Sequence, residues 1–220
     1  MRELWTDGGV IGPNPSPLGG TWAWVVTEGG VLTRSEAGTL LPGQTGTERV
    51  TNNNTELWAI LEGIDALRGH EGDWRVNSDS KIALGWVFLA YSRENVPPPL
   101  RARLEELRRS GRLTGLSWRL LQGHPTKEDL ERGVGKARGL PVSEWNKHAD
   151  MLCGETARRF REFQESLPPA ETGEPLHDPA GQVAVPARCL RCEAGEPVRL
   201  FLGIRYHETE AGAVACGRAE

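Results

Sequence analysis

At 220 residues the chain is long enough to bury a full core, as one large domain or one domain with an appendage. A charged fraction of 25% and a hydrophobic fraction of 38% are ordinary for a soluble globular protein, and the lack of any run of about 18 apolar residues excludes a transmembrane helix. The net charge of −4 argues only mildly against nucleic-acid binding, because a nuclease needs clustered acids for metal and merely local basic patches for phosphate.

The N-terminus enters a strand-like pattern with no signal-peptide h-region, so a cytoplasmic protein with reduced thiols is expected. Residues 2–9 alternate and end in Gly8-Gly9, which predicts a first strand stopping there with Asp7 as its last side chain. The proline-bearing stretch 10–18 is a loop. Residues 20–28 and 31–41 predict two strands joined by a hairpin at Gly29-Gly30. A helix is expected over 52–69, a short strand over 73–79 and a second helix over 80–93. After Pro97-Pro98-Pro99, residues 100–110 form an amphipathic helix ended by Gly111. A fifth strand falls at 114–121, a polar loop at about 123–141, and a long helix runs from about 142 to 165. Hairpin strands followed by α/β alternation predict a mixed five-stranded sheet flanked by helices.

Composition shifts at 166–188, where five prolines mark a linker between a main domain over 1–165 and a small segment over 189–220. Three of the four cysteines lie in that segment. Cys189 and Cys192 form a CxxC knuckle, and with His207 and Cys216 they supply the ligands for one tetrahedral zinc ion. A piece this small buries little core, so a metal staple makes physical sense, with 198–206 as a strand of a small hairpin. Free thiols are the competing expectation.

Four acids stand where acids are costly. Asp7 and Asp79 end predicted strands, and if those strands are parallel neighbours both carboxylates sit at one edge of the sheet. Glu56 shares a helix face with Ala59, Ile60, Gly63, Ile64 and Leu67, so it belongs to a buried face. Asp150 repeats the pattern with Cys153, Ala157 and Phe160, while His148 points the other way. Clustered carboxylates repel one another unless cations neutralise them, and oxygen ligands without a Cys or His set suit Mg²⁺ or Mn²⁺. Taken singly, each acid could equally be a helix cap or a salt-bridge partner.

Five short motifs in order then resemble the type 1 ribonuclease H family over residues 1–165. They are Thr6-Asp7-Gly8-Gly9, Thr51-Asn52-Asn53-Asn54-Thr55-Glu56-Leu57, Asn77-Ser78-Asp79-Ser80, Gln122-Gly123-His124 and Asn146-Lys147-His148-Ala149-Asp150. The resemblance implies a ribonuclease H-like fold and an endonuclease that cuts the RNA strand of RNA–DNA hybrids with two metal ions. It implies that Asp7, Glu56, Asp79 and Asp150 bind those ions, with Asp7 shared. It further implies that His124 assists proton transfer or product release and that Asn52 and Asn53 contact the minor groove; Asn146 receives no direct role. Thr47, Arg49 and the arginines of 101–109 are candidate phosphate partners, a solvated helix face being the alternative for the last. The chain departs from the family in a longer segment between His124 and Asp150, in lacking a basic protrusion, and in its cysteine tail. Competing readings are a catalytically silent module that binds hybrid or a protein partner, and another nuclease of the same fold, such as a resolvase or exonuclease.

Overall fold

The computed structural model describes residues 1–67, 72–135, 139–166, 199–201, 204–209 and 212–218. Strands β1 (Arg2–Val10) and β2 (Gly20–Glu28) pair antiparallel from Arg2↔Glu28 to Val10↔Gly20. Strand β3 (Val31–Leu40) follows through Gly29-Gly30, whose φ angles of 60° and 81° lie in the left-handed region that glycine enters at little cost. The first strand does not stop at Gly8-Gly9 as expected. Gly8 and Gly9 pair with Trp22 and Thr21, and the strand runs on to Val10. The glycines serve close packing instead, since a Cβ on Gly8 would collide with the backbone of Thr55 and Glu56.

Strand β4 (Trp74–Ser78) lies parallel to β1, and β5 (Leu116–Leu120) lies parallel to β4. The sheet order is β3-β2-β1-β4-β5, the mixed five-stranded sheet read from the sequence. A one-turn helix, α1 (Pro42–Thr45), precedes α2 (Asn52–Ala66), whose N-terminus is capped by Thr51 Oγ1 accepting the Asn54 amide at 3.3 Å. The face carrying Glu56, Ala59, Ile60, Gly63 and Ile64 is buried, and Gly63 lets the helix settle onto Leu4 of β1.

Helix α3 (Lys81–Phe88) ends five residues earlier than expected. Side chains replace the next turn: the Trp86 indole donates to Ser92 O at 3.0 Å and Arg93 Nε donates to Trp86 O at 3.2 Å. Helix α4 (Pro98–Arg109) buries Leu100, Leu104 and Leu107. Its arginines brace the fold. Arg103 pairs with Glu62 and Asp65 and lies 4.9 Å from the centre of the Trp58 ring, and Arg108 donates to Val87 O at 2.8 Å. Arg103 and Arg108 are thus engaged within the fold, while Ala102, Glu105, Glu106 and Arg109 form the solvated face given as the alternative for 101–109.

The expected loop at 123–141 contains a short helix, α5 (Lys127–Arg132), closed by a capping box between Thr126 and Asp129. Helix α6 (Glu144–Ser166) covers the other sheet face, where Ala149 and Cys153 join Trp5, Ala23, Val25 and Leu121. Among the described residues no helix is long and apolar enough to cross a membrane.

The chain divides into two units, Met1–Phe160 and Arg161–Glu220. In the second, β6 (Arg199–Phe201), β7 (Ile204–Thr209) and β8 (Gly212–Arg218) form a three-stranded antiparallel sheet. The single strand expected over 198–206 is therefore divided between β6 and β7. His207 is in β7 opposite Val214, and Cys216 is in β8. Cys189, Cys192 and the linker beyond Ser166 lie outside the described residues.

Candidate functional site

The parallel ladder between β1 and β4 ends at Trp5↔Asn77, and each strand carries an acid two residues further on. Asp7 and Asp79 thus leave the sheet side by side, although Asp7 is inside β1 and Asp79 is just past the end of β4. Glu56 reaches the same place from the first turns of α2. The three carboxylates bring ligand oxygens within 4.8 Å of one another. Two oxygens held by one Mg²⁺ at about 2.1 Å stand at most about 4.2 Å apart, so small rotations close the set around an ion.

These are costly positions. Glu56 is 4% exposed, and its Oε2 is buried without a hydrogen-bond partner. Burial pushes Asp7 up to about 8, aided by the charges of Asp79 and Asp150. Burial likewise holds Glu56 well above the usual carboxylate range, with Asp7 and Asp79 adding to the effect. Asp79 is also raised by burial, while the positive charge of His124 acts the other way. A divalent cation removes the repulsion and satisfies the orphaned oxygen in one step. The donors are all carboxylate oxygens, the chemistry of Mg²⁺ or Mn²⁺.

A cleft of about 400 Å³ opens over the acids and is lined by Asn52, Ser80, His124 and Asp150 as well. Asp150 corrects the expectation of a buried carboxylate. The buried residues of α6 are Asn146, Ala149, Cys153 and Phe160, and Asp150 is exposed beside that stripe. A residue directly after Ala149 is turned by about 100° from it, which puts Asp150 at the rim. His124 is exposed at the same rim with a φ of 45°. Asn53 lies apart from the acids, in a neighbouring cavity of about 530 Å³ with Thr51, Trp86 and Tyr91. Thr47 donates to Arg49 O at 2.7 Å and bonds Thr45, so its hydroxyl is engaged within its own loop.

In the sequence Gly123 stood only as the middle of Gln122-Gly123-His124, with no role of its own, yet a Cβ there would stand 2.5 Å from Asp79 Oδ2. A side chain there would force the Asp79 carboxylate to turn from its present place, so the glycine lets the loop carrying His124 pass close to the acid. Thr21 and Cys153 also line the cleft and left no signal in the sequence. Cys153 donates to Asp7 O at 3.4 Å, and burial pushes its thiol far up, as befits a small core residue.

No family model matches the chain, and no curated protein matches it. Solved structures do. An RNase H1 in complex with RNA/DNA hybrid shares 19% identity over 72% of this chain and 98% of that chain, with a TM-score of 0.50. The same RNase H1, isolated from compost by a metagenomic approach, aligns in a second structure with 19% identity, 72% and 96% coverage, and a TM-score of 0.50. An RNase H1 from the halophilic archaeon Halobacterium salinarum shares 22% identity, with 72% and 98% coverage and a TM-score of 0.48. The five-stranded mixed sheet with its flanking helices is the ribonuclease H fold.

Proposed function

We propose that the chain is an endoribonuclease that hydrolyses the RNA strand of RNA–DNA hybrids. The observation that carries this reading is the convergence of Asp7, Glu56 and Asp79, three poorly hydrated carboxylates with one oxygen unpartnered, at the sheet edge of a ribonuclease H fold. Solved structures of that fold include one holding an RNA/DNA hybrid.

Asp7, Glu56 and Asp79 would hold one divalent ion, and Asp7 with Asp150 a second at the rim. When bound, such ions lower the pKa of an attacking water and stabilise the leaving 3′ oxygen of an in-line displacement. The residues do the rest. Glu56, on the buried face of α2, would present its unpartnered oxygen to the ion from beneath the cleft. As a water oxygen bonds to phosphorus and gives its proton to solvent, the bond to the 3′ oxygen breaks, and His124, exposed above Asp79, passes a proton to that oxygen or assists release of the product. Asn52 stands over the cleft to meet 2′-hydroxyls presented across a minor groove, and Asn53 meets the strand beyond it. For the C-terminal unit we propose, from sequence alone, one zinc ion on Cys189, Cys192, His207 and Cys216; metal analysis giving no zinc, with all thiols titrating freely, removes that idea.

A gel assay with hybrid, double-stranded RNA and duplex DNA tests the activity. Mg²⁺-dependent cutting of the hybrid alone is expected, and Asp7→Asn or Asp79→Asn abolishes it while hybrid binding persists. Near-normal cleavage by either variant overturns the site.

A further inference from the structure

The sheet face that carries Asp7 and Asp79 holds an unusual row just beneath them. Trp5, Asn77 and Arg119 sit opposite one another on β1, β4 and β5, in the registers Trp5↔Asn77 and Asn77↔Arg119. Side chains of a strand return to the same face every second residue, so Asp7 follows Trp5 and Asp79 follows Asn77 on that face. Asn77 is fully buried and saturated with bonds. Its Nδ2 donates to Leu4 O at 3.2 Å and to Arg75 O at 3.3 Å, and its Oδ1 accepts from Arg119 Nε at 2.7 Å. Arg119 also donates to Glu3 Oε1 at 3.0 Å and lies 5.3 Å from the centre of the Trp5 ring. The Trp5 indole donates in turn to Thr27 Oγ1 of β2 at 3.0 Å.

Four strands are thereby tied at the level where the β1–β4 ladder ends and backbone pairing no longer fixes the separation of β1 from β4. An apolar row would fill the same space, but it would leave the strands free to slide by fractions of an ångström. A satisfied polar row has one geometry. We propose that Asn77 and Arg119 are positioning residues: the Trp5–Asn77–Arg119 row sets the separation at which Asp7 and Asp79 present their oxygens to a cation. The inference rests on the metal site proposed above, and its test is read in cation binding as well as in cleavage.

The experiment compares the full chain with Asn77→Leu and with Arg119→Met, which keeps the stem over Trp5 but removes the donors. Ile64→Val, in the core of the opposite face, serves as a control for lost stability alone. Mn²⁺ binding is measured by calorimetry, and hybrid cleavage is measured against Mg²⁺ concentration. Groups that orient metal ligands typically alter affinity by about 10–100-fold. Weakening in that range is expected for both variants, with cleavage recovered at high Mg²⁺, while Ile64→Val keeps the parent midpoint. Arg119 is partly exposed, so its variant folds and remains informative if Asn77→Leu does not. Unchanged midpoints in the folded variants, or an equal shift in Ile64→Val, overturn the inference. A parent chain that binds no Mn²⁺ defeats the site itself, and one that binds but does not cut hybrid defeats only the proposed activity.

Discussion

Asp7 and Asp65 are both partly or wholly buried acids, and they respond to burial in opposite ways because of their neighbours. Burial opposes the Asp65 charge, but Arg103 and Arg112 more than offset it and hold the carboxyl below its ordinary value. Burial and the acids beside Asp7 outweigh its bonds to the Cys153 thiol and the Gly8 backbone, and it is raised from 3.8 to about 8. The sign of each effect on stability follows. Asp65 contributes above its ordinary pKa and is lost as pH falls below it. Asp7 favours folding while protonated, so its contribution is complete below about 3.8 and is lost as pH rises toward 8. The unfolding free energy of the chelated protein should therefore fall between pH 4 and 8 by an amount on the order of a few kcal/mol, read as a falling melting temperature. Saturating Mg²⁺ should abolish the fall, and Asp7→Asn should shrink it. A flat profile for the chelated protein would show that the acids are solvated rather than confined. Mg²⁺ uptake near pH 7 should also release protons, measurable as a buffer-dependent binding enthalpy.

At the scale of elements, the approach of α2 to β1 controls the site. Gly8 leaves no room for a side chain against Thr55 and Glu56, so Gly8→Ala must push helix and strand apart. Overpacking of this kind costs about 1–3 kcal/mol, and the displaced Glu56 should raise the Mg²⁺ concentration needed for cleavage. Thermal melts and metal titration of the same sample check both effects. Thr51→Ala, which removes the N-cap of α2, should cost about 1 kcal/mol without that metal effect. Most of this architecture was legible in the sequence, because five strands and the larger helices announce themselves by alternation, periodicity and caps. The buried face of α2 placed Glu56 correctly. What escaped was set by tertiary contact. Gly8-Gly9 reads as punctuation until α2 is seen lying on it. The end of α3 is made by Trp86 and Arg93 bonding a loop that no periodicity encodes. Helix α5 is too short for a period to register, although Thr126 and Asp129 had the spacing of a capping box. Asp150 shows the limit of a helical wheel, since a residue at the margin of a stripe can be assigned to either side.

For the molecule as a whole, both apolar clusters among the described residues, and every residue of the cleft over the acids, fall within Met1–Phe160. A chain ending at Ser166 should unfold in one cooperative transition and cut hybrid with the parent's Mg²⁺ midpoint. Circular dichroism melts and the gel assay check this, and loss of either property would give the C-terminal unit a part in the reaction. The cleft also gathers residues from positions as remote as 7 and 150, on four different elements, the turn after β4 and the loop after β5. During synthesis a nascent chain exposes the first three acids long before the helix bearing Asp150 has emerged. Until α6 docks, the partial constellation lacks Asp150 and the wall that Cys153, Gly154 and Ala157 give the cleft, so a truncated nascent chain holds an unfinished site.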